Sequence, residues 1–260
     1  MTARPMEWLG RLVGGGQRTP EASAQDRATR RKYAAPALPE PTLRAAWQLT
    51  SLLLAYPDER IMGLVPAIRE AAAGLPDAVG APLVRLADHL LAGDRQPVCT
   101  AYVDTFDTTR KCALHLTYYV HGETRKRGIA LVQFKQAYRR AGLEINDDEL
   151  PDHLSVVLEF GATGSVDVAW RLLNDHRAGI ELLQLALDAK NSPWADAVTA
   201  LRATLPPLDG AQADTVARLL AEGPPNEDVG LDGYALDPRL NPHPADDALD
   251  LSLDLTGATR

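Results

Sequence analysis

The sequence predicts an all-α protein, and three observations carry that prediction. Its apolar residues make up 45% of the chain but its aromatics only 5%, so Ala and Leu dominate, a composition that favours helix. Between residues 42 and 222 apolar positions recur at helical spacing in one segment after another. Residues 114–120 have strand-like character, but no second run of that kind exists to pair with them. The expected architecture is a single-domain helical bundle over residues 42–222, with an arm at 1–41 and a tail at 223–260.

Taken in order, Pro39, Pro41 and Thr42 mark the start of the first helix, where Leu43, Ala46, Trp47, Leu53 and Leu54 fall on helical spacings. Pro57 with Asp58 ends it and opens the next. Residues 62–75 and 78–91 read as two further helices, separated at Gly74 to Pro76 and closed at Gly93. Each holds an internal proline, Pro66 and Pro82, which blurs its limits. Residues 99–106 form a shorter helix with Tyr102, Val103 and Phe106 on one side. Residues 108–120 read as a loop or short helix.

The longest helix is expected over 123–143. At 100° per residue, Ala130, Leu131, Phe134, Ala137 and Tyr138 share one arc. Opposite them lie Arg125, Lys135, Arg139 and Arg140, but also Ile129 and Val132. A helix with two apolar faces is either sandwiched in the core, the commoner case, or covers the core on one side and a partner on the other. Gly142 closes this helix. Pro151 then suits a first helical position, with Asp148, Glu149 and Asp152 near the positive end of the dipole. Leu154, Val157, Leu158, Gly161 and Ala162 supply the apolar stripe. Ser165 begins the next helix after Gly164, and Ile180, Leu183 and Leu187 make a stripe on its continuation. Ser192-Pro193 is a cap-plus-first-turn signature for a helix to 205, and 211–221 forms the last.

Charge is unevenly spread. The chain has 27 basic and 35 acidic side chains, a net of −8. Residues 1–41 carry seven basic and four acidic groups, and the tail two basic and eight acidic. The central segment is also acidic, with eighteen basic and twenty-three acidic groups. That argues against a nucleic-acid partner, which needs a basic footprint, and suits a basic peptide. The arm is rich in Arg, Ala, Pro and Gly with only one short amphipathic piece, residues 6–13, and the tail is rich in Pro, Gly and Asp without periodicity, so the arm is expected to be mostly disordered and the tail irregular. No apolar run has membrane-spanning length, so no direct membrane insertion is expected. The N-terminus breaks at Gly14, Gly15 and Gly16 before a signal-length apolar core. Cys99 and Cys112 have no paired metal spacing, which points to reduced thiols in a cytoplasmic protein.

Residues 102–160 concentrate the chemistry. A metal site would draw on His115, His121, Glu123, Asp152, His153 and Glu159, but none of these forms an HExxH or HxxxH pair. Glu159 lies six residues after His153, too far around a helix to share its face. Cys112 follows Arg110 and Lys111, which would lower a thiol pKa, yet no base accompanies it. There is no P-loop and no strained Ser elbow. The expectation is therefore no metal, no cofactor and no catalysis; a helical enzyme acting on a small or nucleotide substrate through His153 and nearby acids is the alternative. Asp152 and His153 have two readings: an ordinary capped helix start, or polar groups on an exposed first turn at the mouth of an apolar groove. Tyr102, Phe106, Tyr118 and Tyr119 would line that groove, unless they are simply core.

The runs LTYYVHGETRKRGIALVQFK and ELPDHLSVVLEF, with a weaker GPPNEDVGL near the C-terminus, resemble the delta-subunit chaperones of respiratory nitrate reductase, the NarJ type. These belong to the redox-enzyme maturation chaperones of molybdoenzymes. The resemblance covers residues 42–234. It implies an all-helical chaperone with no turnover of its own. Such a protein binds the leader-like N-terminal segment of the catalytic alpha subunit, or the alpha-beta apo-complex, and permits molybdenum cofactor insertion before membrane docking. It also implies a peptide groove at Pro151, Asp152 and His153, along the helix from Tyr102 to Phe106 and through Leu114 and Leu116; with Tyr118, Tyr119 and Leu154 these make up the expected peptide-binding residues.

Overall fold

Eleven α-helices follow one another in the computed structural model, which describes residues 33–143 and 149–222. They are α1 Glu40–Leu53, α2 Glu59–Ala73, α3 Asp77–Ala92, α4 Arg95–Phe106, α5 Tyr118–His121 and α6 Arg125–Arg140. After these come α7 Leu154–Thr163, α8 Val166–Asp175, α9 Arg177–Ala189, α10 Ala195–Thr204 and α11 Gly210–Glu222. One 3₁₀ turn, Arg110–Cys112, precedes α5. No strand occurs among the described residues. The expectations of disorder for the arm to residue 32 and for the tail lie outside the described residues, as does Asp148.

The helices form where the local rules place them. Asp58 caps α2 by accepting the Ile61 N–H at 2.8 Å, and Ser165 caps α8 by accepting that of Val168 at 3.3 Å. Pro66 and Pro82 sit inside α2 and α3, which run through them. α4 starts earlier than its apolar spacing suggests. The single helix expected after Ser165 is two, broken at His176, whose backbone (φ −108°, ψ 21°) leaves the helical region. Ser192 does not cap α10: its hydroxyl has no partner, and its carbonyl accepts the Ala195 N–H in a turn that delays the helix start. Likewise Pro151 is not a first helical residue, because α7 opens at Leu154 with His153 as its N-cap.

α1 and α7 form the centre of the core and pack directly on each other. Gly161 lets them approach: a Cβ there would lie 2.5 Å from Trp47 Cε3 and 2.7 Å from Ala169 Cβ. Trp47 is fully buried and donates its indole N–H to Thr204 Oγ1 at 3.0 Å, tying α1 to α10. Arg44 closes the C-terminal end of α7 by donating to the carbonyls of Gly161, Ala162 and Gly164 at 2.8–3.3 Å. Trp47, Trp194, Tyr138 and Phe134 are the largest fully buried side chains, each worth on the order of 3 kcal/mol of transfer free energy. Ahead of α1, Tyr33 hydrogen-bonds Asp175 and Ala34 accepts the Trp170 indole N–H at 3.2 Å.

α6 packs with one face only. Ala130, Phe134 and Tyr138 are buried, as the periodicity requires, whereas Ile129 and Val132 are 63% and 52% exposed. The sandwiched alternative is therefore not the one realised.

Candidate functional site

The segment before α5 and the turn before α7 meet through an isolated antiparallel bridge between His115 and His153. Leu116 N–H donates to the Asp152 carbonyl at 3.0 Å, and Leu154 N–H to that of Leu114 at 2.7 Å. The strand-like run thus has a pairing partner after all. That partner is a single residue pair, too short to show as an alternating pattern.

Asp152 locks this junction. It is fully buried rather than on an exposed first turn. Its Oδ2 accepts the Thr117 N–H at 3.1 Å and the Thr117 hydroxyl at 2.5 Å, and its Oδ1 lies 3.3 Å from His115 Nδ1. Burial pushes the Asp152 carboxyl up, but the His115 contact and the two Thr117 bonds together outweigh it and hold it below the usual carboxylate value. The His153 ring stands 5.3 Å from that of His115. Burial and the neighbouring His115 lower its pKa to about 4, against the opposing pull of Asp152, so His153 is neutral at physiological pH. Its Nδ1 has no hydrogen-bond partner.

The other predicted residues divide into two groups. Leu114, Leu116, Tyr119 and Leu154 are core beneath the bridge, where Tyr119 donates its hydroxyl to the carbonyls of Lys111 and Ala113. Pro151 is buried too, and its carbonyl accepts the Tyr138 hydroxyl at 2.7 Å. Tyr118 is half-buried, with the Arg127 guanidinium 5.9 Å from its ring centroid. Tyr102 and Phe106 join a separate aromatic cluster: both pack on Trp194, at 5.4 and 5.6 Å, and Tyr102 donates to the Leu54 carbonyl. They are 7% and 8% exposed, which makes them core rather than an open wall. Tyr56, whose ring meets Tyr102 edge-on at 5.5 Å, and Leu150 are the solvent-facing apolar groups of this region, each 42% exposed. Sequence reasoning missed both.

Sequence reasoning also missed Thr117, and weighed Glu159 only as a metal candidate. Thr117 is fully buried and spends both its donors on Asp152. Glu159 is 1% exposed on α7, one turn after Ser155, and neither its Oε1 nor the Ser155 hydroxyl has a partner. Burial and the charge of Glu149 raise the Glu159 carboxyl to about 7, with Arg60 opposing. Cys112 departs from expectation: burial raises its thiol, with Lys190 opposing, so it is not an activated nucleophile. Among the described residues no group of three His, Cys, Asp or Glu side chains is arranged to hold a metal. No described helix is long and apolar enough to cross a membrane.

The family described as nitrate reductase delta subunit matches residues 72–200, a stretch that contains the whole junction. A probable nitrate reductase molybdenum cofactor assembly chaperone NarJ from Bacillus subtilis is 28% identical over 60% of this chain and 85% of its own length. Residues 72–200, just under half of the chain, are thus similar to the nitrate reductase delta subunit family. Its Escherichia coli relative, the nitrate reductase molybdenum cofactor assembly chaperone NarJ, is 33% identical over 56% of this chain and 64% of its own length. The nitrate reductase-like protein NarX of Mycobacterium tuberculosis is 37% identical over 60% of this chain, but the match spans only 23% of that longer protein. The family match and the all-helical architecture agree, and the GETRKRG run and the PDH turn both fall inside it.

Proposed function

We propose that this protein is an assembly chaperone of a nitrate reductase, with no turnover of its own. It binds the N-terminal segment of the catalytic alpha subunit and keeps the apo-subunit open to molybdenum cofactor insertion before membrane docking. The observation that carries this reading is the junction of residues 114–117 with 152–154 inside the family match. A buried carboxylate and two backbone bonds hold His115 and His153 side by side. The peptide's backbone meets the His115 and His153 rings and Tyr118, while its apolar side chains rest on Tyr56 and Leu150. Tyr102, Phe106, Leu114, Leu116, Tyr119, Pro151, Asp152 and Leu154 support that surface from below. A segment that folds on docking in this way binds with micromolar to nanomolar affinity, about −8 to −12 kcal/mol.

Calorimetric titration with a synthetic peptide of the alpha subunit's N-terminus tests this. One-to-one binding that His153→Ala weakens by roughly tenfold, about 1.4 kcal/mol, with unchanged helicity, is the expected result. Absence of binding to a folded sample would refute the peptide assignment. Unchanged affinity in His153→Ala would move the contact off the junction.

A further inference from the structure

The outward side of α6 is a cationic crown with an apolar centre, and nothing in the chaperone reading uses it. Residues 125–140 hold six basic side chains and no acidic one, in a chain whose net charge is −8. The nearest acidic residues in sequence are Glu123 before the helix and Glu144 after it. On a helical projection Ile129 and Val132 lie together at the centre of the outward arc, diametrically opposite the buried Phe134. Arg139 flanks them on one side and Lys126 and Arg140 on the other, and all three are exposed. The helix runs for about 24 Å, with cations at both ends and an apolar pair between them.

We infer that this face docks peripherally on an anionic phospholipid bilayer. The geometry selects that partner in three ways. The face is a convex crown rather than a groove, so it suits a flat surface. Its cations stand on both shoulders, where they reach headgroup phosphates while Ile129 and Val132 enter the acyl boundary. It is also uninterrupted by acidic residues, so it needs no register with its partner. An acidic polypeptide helix shares part of this chemistry, and the test separates the two.

The full-length protein is mixed with phosphatidylcholine vesicles, with and without phosphatidylglycerol, and sedimented. A protein of net charge −8 has no bulk attraction to an anionic surface, so preference for the phosphatidylglycerol vesicles reports a local patch. We expect that preference, and we expect it to fall as salt is raised. Lys126→Gln/Arg139→Gln/Arg140→Gln should lower partitioning about a hundredfold, at roughly fivefold per cation. Ile129→Gln/Val132→Gln should lower it about tenfold. All five residues are exposed, so far-UV circular dichroism should be unchanged. Equal sedimentation with both vesicle types, or full retention by the charge variant, overturns the inference. Failure to bind vesicles combined with saturable binding of a synthetic acidic amphipathic helix also overturns it, and would give the face to a protein partner.

Discussion

Replacing Asp152 by Ala should unfold much of the stability of the junction. The wild-type carboxylate accepts two hydrogen bonds from Thr117 and touches His115 while fully buried. Hydrogen bonds to a charged acceptor contribute roughly 1.5–3 kcal/mol each, and Thr117, itself fully buried, would keep two donors with no partner. The expected loss is therefore about 3–4 kcal/mol, or a fall in Tm of roughly 10 °C for a domain of this size. Asp152→Asn keeps one acceptor oxygen and should lose about half as much. Urea denaturation followed by circular dichroism at neutral pH measures both. Because the folded carboxyl lies below its ordinary value of 3.8, its stabilisation is fully present above that pH and disappears as pH falls through the folded value. The gap between wild type and Asp152→Asn should therefore persist at neutral pH and close only in strong acid. A loss under about 1 kcal/mol for Asp152→Ala would refute the argument that this carboxylate fixes the junction.

Two other perturbations follow from the geometry. Gly161→Ala would drive a methyl group into the Trp47 ring, 2.5 Å away. It should cost about 2–3 kcal/mol and shift the urea midpoint without changing the slope. Glu159→Gln should raise stability above pH 7 by up to about 3 kcal/mol, since the wild-type group, raised to about 7, loses stability as it ionises between its ordinary value and 7. His153, lowered to about 4, acts in the opposite direction: stability is full above its ordinary value of 6.5 and is lost as pH falls towards 4. In the wild type these two slopes oppose each other between pH 4.5 and 6.5. Stability curves of Glu159→Gln across that range should therefore show a steeper acid loss than wild type.

Periodic features were legible in the sequence; pairwise and long-range ones were not. Ala130, Phe134 and Tyr138 were visible as a buried arc, and Ser165 as a helix start, because each signal lies within a few residues. The break at His176 was not visible, since the apolar stripe continues across it and Gly179, the nearest helix breaker, lies inside the following helix. Asp152 read as an exposed helix start because its partner, Thr117, lies 35 residues away. Tyr102 and Phe106 looked like groove walls because Trp194, which covers them, comes from beyond α9. The resemblance pointed to the segments that meet at the junction, but it could not distinguish surface residues from the buried ones that hold them in place.

That distinction gives the junction its logic. Asp152 cannot reach a peptide: it is buried, its Oδ2 accepts both Thr117 donors, and its Oδ1 faces His115 at 3.3 Å. His153 is neutral and held by the bridge backbone; its Nδ1 is buried without a protein partner, and only part of the residue reaches solvent. In the proposed complex the part of the ring that reaches solvent meets the peptide backbone, as donor or acceptor according to its tautomer. Asp152→Ala should therefore weaken folding and peptide binding together, because the position of His153 depends on it. His153→Ala should weaken binding alone. A variant pair in which both changes cost equal stability, or in which Asp152→Ala binds like wild type, would break the link between the buried lock and the partly buried His153 ring.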